Sequence, residues 1–383
     1  MRHENSVMGD LLKRIPWDHF DALVDKHDAN RSVRTLTTKT QFVALVHAQL
    51  SGASSLREIE ATMASHEPRL YHLGVKAPKR STLADANAKR PAALFAEMFE
   101  SVLSLAHRGL RKASKDAIRL IDATRIPLNA LSTHWARYDA RSNGVKVSII
   151  YDPVAAVPVR YAINLAREND MVSAKEFPIE PGATYVFDMG YYSFIWWGEL
   201  DANGCRFVTR LKSNTPTRIV EERAVAEGSN ITVDRTVRLP TRLQNTRRHR
   251  LGEAVVREVH VVIDTGKTLR LVTNDLASPA EEIAALYKTR WEIELFFRWI
   301  KQTLKIRTFL GTSENAIRVQ IAVALITYLL LRMAHAAQAS IASLLTFTRL
   351  VRANLMHLRP ISDLDRPPPR KTTNPAQLEL AIC

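Results

Sequence analysis

A tyrosine, an arginine, a glutamate and a lysine stand at Tyr287, Arg290, Glu294 and Lys301 within YKTRWEIELFFRWIKQTLK. On one helix, at about 100° per residue, the four share an arc of about 60°. Leu286, Ile293, Phe297, Ile300 and Leu304 form a neighbouring apolar stripe. Such a helix packs by its apolar side and presents the polar stripe along the seam. One acid among two cations and a phenol suits a metal site acting on a phosphodiester: the carboxylate holds a hard cation, while arginine and lysine hold phosphate oxygens. The same residues also read as a helix with spaced salt bridges, since Arg290 and Glu294 are four apart.

Two further segments carry acids in telling places. IRLIDATRIPL holds Asp122 and YVFDMGYYS holds Asp188. Each aspartate closes a short apolar run that reads as a buried strand, and a Gly190 turn follows the second. With them, the spacing Tyr-x2-Arg-x3-Glu-x6-Lys resembles the signature of bacterial insertion-sequence transposases of family four, a branch of the DDE transposases. The resemblance spans most of the chain. It implies an α/β fold: a ribonuclease H-like catalytic core with a strand-rich insertion, flanked by helical N- and C-terminal regions. Asp122, Asp188 and Glu294 would bind two divalent ions, Mg2+ or Mn2+, with Asp188 bridging them. Two such ions activate the attacking oxygen and stabilise the leaving one. Tyr287, Arg290 and Lys301 would contact phosphates of the transposon end. Hydrolysis there would free a 3′-OH, which then attacks target DNA, the work of a homodimer on double-stranded DNA. The alternatives are a stand-alone metal-dependent nuclease, or a non-catalytic DNA-binding protein from a decayed element.

The 383 residues carry a formal charge of +15 and a pI near 10.0. That length suits two or three domains, and that charge suits a polyanionic partner. Cys205 and Cys383 are too few and too far apart for a disulfide framework or a zinc site, which fits a reducing cytoplasm. No signal-peptide core is read near the N-terminus. The apolar run Ile321 to Leu331 is about half of the ~20 residues a bilayer requires, so it reads as a buried helix and no membrane partner is expected.

Elements that position the acids follow from periodicity. Residues 1–110 read as a helical DNA-binding region. Within it Ser54 or Ser55 caps one helix, and Ser81 and Thr82 start a second that bears Lys89 and Arg90, after Lys76, Lys79 and Arg80. The pair reads as a helix-turn-helix. Residues 111–310 form the core, with AIRLID, VKVSIIYD, VPVRYAINL, TYVFD and RFVTRLK as strands and SFIWWGELDA as a helix. Residues 213–275 are the insertion. There Arg235, Arg238, Arg242, Arg247, Arg248, Arg250 and Arg257 face one acid, Glu253, and a DNA backbone is the expected counter-charge, above all for Arg247, Arg248 and Arg250. Residues 311–383 are C-terminal helices and a proline-rich tail that reads as disordered. Asp116, Asp152 and Asp170 read as caps or turn residues, Glu292 as off the polar stripe, and Trp196, Trp197 and Trp291 as core. Some members of the family that the chain resembles form a hairpin on the transposon end, with a tryptophan of the inserted domain holding an extruded base; residues 213–275 have no tryptophan. A hairpin route would then need His249 or an aromatic outside the insertion.

Overall fold

The computed structural model describes residues 5–110, 117–137, 139, 142–240, 250–252, 254–304, 306, 308–338 and 340–366. Periodic apolar residues and side-chain caps define α1 (Val7–Leu12), α2 (Trp17–Lys26), α3 (Thr38–Ser51), α4 (Leu56–Ala64), α5 (Glu67–Leu70), α6 (Arg80–Lys89) and α7 (Ala92–Leu110). The hydroxyls of Ser6, Thr37 and Ser55 accept N–H groups that open α1, α3 and α4, worth ~1 kcal/mol each. Gly52, at φ 77°, ends α3 in the left-handed conformation that costs glycine least. Neither Ser81 nor Thr82 starts α6, which begins at Arg80 without a side-chain cap. α5 and a 3-10 turn at Tyr71–Leu73 separate α4 from α6. The two helices still pack together, but the connection is longer than a helix-turn-helix corner.

The core strands are β1 (Ile118–Leu128), β2 (Asn143–Asp152), β3 (Val157–Leu165), β4 (Thr184–Phe187) and β5 (Arg206–Arg210), joined by α8 (Thr133–Ala136), α9 (Asp170–Glu176) and α10 (Phe194–Ala202). The insertion adds β6 (Arg218–Glu222), β7 (Ile231–Arg238), β8 (Val255–Val262) and β9 (Thr268–Thr273). All nine join one sheet in the order β3-β2-β1-β4-β5-β9-β8-β7-β6. β3, β2 and β1 run antiparallel while β1, β4 and β5 run parallel, the ribonuclease H-like arrangement. β9 pairs with β5, so the insertion prolongs the core sheet. Alternation divides the sheet into two faces. Leu120, Val186 and Val208 join the large core beneath the helical layer, whereas Ile121, Phe187 and Phe207 join a second core around Trp196 and Trp197 of α10.

After the insertion come α11 (Ala280–Thr289), α12 (Trp291–Thr303), α13 (Glu314–Ala336) and α14 (Leu344–Asn354). The run Ile321 to Leu331 is only the middle of α13. This helix has 23 residues and is long and apolar enough to cross a membrane, but 83% of its apolar window is buried inside the fold. It packs on α7, α3 and α6. Backbone bonds from Val7 N to His357 O (3.1 Å) and Met8 N to Leu355 O (2.9 Å) fasten the start of the chain to the segment after α14. Arg352 Nε donates to Leu50 O at 2.7 Å. Helices from both chain ends therefore share one layer. The first residues of the expected disordered tail are ordered: Ile361 and Leu364 are buried.

Candidate active site

β1 and β4 pair in parallel register up to Ile121 opposite Phe187. The next residues, Asp122 and Asp188, stand side by side with side chains toward one face, on strands ~4.8 Å apart. That face is the one shared by Leu120 and Val186, under the helical layer. β4 and β5 pair through Val186 and Val208, so Arg210 stands level with Asp188 on its other side. Asp122 Oδ1 accepts the Ala123 N–H at 2.8 Å, and Asp188 Oδ1 accepts the Gly190 N–H at 2.7 Å. Each aspartate has one oxygen tied to the backbone. A Cβ on Gly190 would lie 2.8 Å from Asp170 Oδ2 and 2.9 Å from Asp188 Oδ1, so any larger residue would have to displace those carboxylates.

The four spaced residues do not share a straight helix. α11 stops at Thr289 and α12 starts at Trp291, with bonds from Arg290 N to Tyr287 O (3.1 Å) and Ile293 N to Arg290 O (3.3 Å) tightening the junction. Tyr287 therefore lies on α11, Arg290 at the joint, and Glu294 and Lys301 on α12. The apolar stripe is buried as expected. α12 lies over β1, and the Lys301 ammonium donates to Thr124 Oγ1, two residues beyond Asp122. Arg290 Nη2 grips Glu294 Oε1 at 2.6 Å and packs over the Tyr287 ring.

These groups feel one another. Burial, and then the charges of Asp188 and Glu294, push the Asp122 carboxyl up to about 7, against the pull of Ala123 and Arg290. Burial raises Tyr287, while Arg290, Arg210 and Asp188 also act on it. Arg290 is held above its ordinary value, with Tyr287 and Glu294 outweighing burial. Glu292, by contrast, acts on Tyr151. Carboxylates such as Asp122, Asp188 and Glu294 are hard donors of the kind that Mg2+ and Mn2+ take. Among the described residues no three His, Cys, Asp or Glu side chains are grouped to hold a metal ion, and Glu294 is engaged by Arg290. The donor chemistry fits a divalent ion, with Asp122 and Asp188 already adjacent.

The sequence pattern of the Transposase DDE domain matches residues 113–330, and a domain of unknown function matches residues 3–76. A protein of Sinorhizobium fredii named for transposase y4zB is 42% identical over 314 residues, 79% of this chain and 86% of the relative. The chain belongs to the DDE transposases. The transposase also shares 28% identity over 257 residues, 66% of each chain, with a Geobacillus stearothermophilus protein named for insertion sequence element IS5377. A Synechocystis relative named for element IS4SA is 39% identical over 85 residues, 20% of this chain and 25% of the relative, in keeping with family four. A piggyBac transposase synaptic complex with hairpin DNA gives a TM-score of 0.47 at 10% identity, covering 97% of this chain and 84% of that one. The transposase binds and recombines DNA and depends on divalent metal, as its family does.

Several basic residues of the transposase do other work than expected. Arg90 is 8% exposed and donates to Gln41 Oε1 at 2.9 Å and to Leu36 O, which removes it from any phosphate. Lys89, on the outer side of α6, is exposed. In the insertion Arg257 is 2% exposed and forks onto Asp234 with two bonds of 2.7 Å. Arg235 pairs with Glu258 at 3.2 Å. The supposed excess of arginine over a single acid thus dissolves where β7 and β8 pair, because Glu258 stands opposite Arg235 and Asp234 lies diagonally across from Arg257. Arg242, Arg247, Arg248, His249 and Glu253 lie outside the described residues. Arg250 opens a 3-10 turn, Arg250–Gly252.

Asp152 is the turn residue expected, its Oδ1 accepting from Val154 and Ala155, and Asp116 lies outside the described residues. Asp170 starts α9 and pairs with Lys146 at 2.5 Å, but it also closes on the Gly190 turn, which sequence gave no hint of. Trp196 and Trp197 are core, whereas Trp291 is 49% exposed beneath the Arg298 guanidinium. Arg210 was missed as well. Its Nε is buried without a partner among the described residues, and the only signal was its place at the end of a strand parallel to that of Asp188.

Proposed function

We propose that Asp122, Asp188 and Glu294 are the metal-binding acids of this transposase, holding two Mg2+ or Mn2+ ions. The parallel register of β1 and β4, which ends one residue before Asp122 and Asp188 and leaves them level under the helix that carries Glu294, is the observation that supports this most. Bound there, the ions would supply Lewis-acid activation of the attacking oxygen and charge relief at the leaving oxygen. The chain's residues do the rest. Ala123 and Gly190 N–H groups fix one oxygen of each aspartate and leave the other toward the substrate. Arg290 neutralises Glu294 and Asp122 while no phosphate is present, and exchanging that pairing for a phosphate frees the glutamate as a ligand. Tyr287, Lys301 and Arg210 surround the same place and bind the transposon-end backbone, arginine as a fork and lysine as a point charge. Exposed Lys89 with Lys76, Lys79 and Arg80 contacts DNA from the N-terminal region, and Arg247, Arg248 and Arg250 contact it from the insertion. Pairing of two ends calls for a homodimer on DNA, in the bacterial cytoplasm.

The test is incubation with Mg2+ or Mn2+ and a duplex bearing the terminal inverted repeat that flanks the gene, plus a supercoiled target. A free 3′-OH at the repeat and products joined to target are expected. Fragments released without joining would make the protein a nuclease, and a monomer on paired ends by light scattering would rule out the dimer.

A further inference from the structure

Glu258 of β8 is fully buried, a costly place for a charge unless it is paired and hydrogen-bonded. It is surrounded. Oε1 accepts from Arg270 Nε at 2.7 Å and meets His260 Nε2 at 2.7 Å, while Oε2 accepts from Thr217 Oγ1 at 3.0 Å and Arg235 Nη2 at 3.2 Å. Burial favours the neutral acid, but the bonds from Arg270 and His260 outweigh it and hold the carboxyl down at about 2. The carboxylate in turn orients Arg270, whose Nη1 donates to three carbonyls of a single loop: Lys212 (3.1 Å), Ser213 (3.1 Å) and Thr215 (3.2 Å).

That loop leaves β5 beside the acids. Thr215 Oγ1 meets the Tyr192 hydroxyl at 2.5 Å, and the Lys212 ammonium lies 4.5 Å from the centre of the Tyr192 ring. Tyr192 ends the 3-10 turn Met189–Tyr191, which Asp188 caps by accepting the Gly190 N–H. Thr209, on β5, donates to the Asp188 carbonyl at 3.4 Å. A continuous chain of polar contacts thus leads from the buried carboxylate of the insertion to the turn that aims Asp188. A structural filler at position 258 would not need these four bonds converging on one side chain, since well-packed apolar residues stabilise such a site as well or better.

We infer that Arg270, held by Glu258, is a positioning residue for transposition: through the 212–215 loop and Tyr192 it sets the orientation of the Asp188 carboxylate. The inference rests on the reading of Asp188 as a metal ligand. In this transposase the insertion then serves the chemistry directly as well as extending the sheet.

Two variants test it, Arg270→Met and Thr215→Val, with Thr215→Ser as the conservative control. Cleavage of the inverted-repeat duplex should fall at least tenfold in kcat for both variants while the Kd for that duplex stays within about twofold, and Thr215→Ser should restore most of the rate. The double variant should be little worse than Arg270→Met alone, because both act along one path. Independently of activity, hydrogen exchange over residues 188–192 should quicken in Thr215→Val and not in Thr215→Ser. Wild-type cleavage with unchanged exchange in folded Thr215→Val overturns the inference, as do multiplicative losses in the double variant. If Arg270→Met does not fold, the Thr215 pair decides. Should the wild-type chain itself fail to cut, the proposed function fails, and the exchange measurement still judges the contact path.

Discussion

Replacing Asp122 by asparagine should abolish cleavage and at the same time stabilise the metal-free protein, by more at pH 8 than at pH 5. Its carboxyl stands at about 7 against an ordinary 3.8, chiefly through burial, with Asp188 and Glu294 adding to it. At about 1.4 kcal/mol per pH unit, ionising this group in the folded chain costs about 4 kcal/mol once the pH is above 7. Because the folded state raises the value, it keeps a proton that the unfolded chain releases. Stability therefore falls as pH rises from about 4 to about 7 and is level beyond that. At pH 5 the cost is under about 2 kcal/mol on the same scale. Asparagine carries no charge at either pH, so its advantage over wild type should widen by about 2–3 kcal/mol between pH 5 and pH 8. Urea unfolding of both proteins in chelator, at unit steps of pH, measures the gap. A gap that stays constant across that range would refute the reasoning, since it would mean that the Asp122 carboxylate is solvated or already compensated. Added Mg2+ should reverse the order by stabilising wild type more than the variant.

Glu294→Gln should remove metal-dependent cleavage yet leave the Kd for the inverted-repeat duplex within about threefold, and equal loss of both in parallel assays would make Glu294 structural. Arg210→Ala should leave the melting temperature unchanged and flatten the slope of log K against log salt by about 0.9, the signature of one lost phosphate contact; an unchanged slope excludes the contact. Lys89→Ala should behave in the same way, whereas Arg90→Ala should lower the unfolding free energy and affect DNA only through folding, so a salt-slope change in folded Arg90→Ala would contradict its internal role. Arg257→Ala should destabilise by about 3–5 kcal/mol because it strands buried Asp234, and denaturant midpoints near wild type would show that the pair is dispensable.

The two aspartates were legible because each ends an apolar run long enough to be a buried strand and too short for a helix. Their alignment was not, since register between β1 and β4 is a property of pairing. The break at Arg290 had no sequence signal: neither glycine nor proline occurs between Ala280 and Thr303, and only the tightened backbone bonds reveal it. Arginine counting in the insertion failed for a related reason. Along the chain Arg257 is 23 residues from Asp234, but in the β7–β8 ladder they meet. Arg90 looked like the cationic end of a solvated helix, and only the fold brings Gln41 and Leu36 to its guanidinium. What periodicity could read was the identity of elements, including three of the four insertion strands; β6, exposed along its length, has no apolar alternation to announce it.

The backbone bonds that join Val7 and Met8 to Leu355 and His357 bear on the order of events during synthesis. α1 leaves the ribosome well ahead of its partners, which emerge roughly 350 residues later, a delay of about 20–70 s at 5–20 residues per second. The layer that carries α6 also packs on α13, so the N-terminal helices cannot complete their packing while translation is under way. A transposase truncated before α13 would therefore leave the apolar faces of α3 and α7 uncovered. If the N-terminal helices hold the element's end as proposed, that hold would arrive only once α13 had joined their layer.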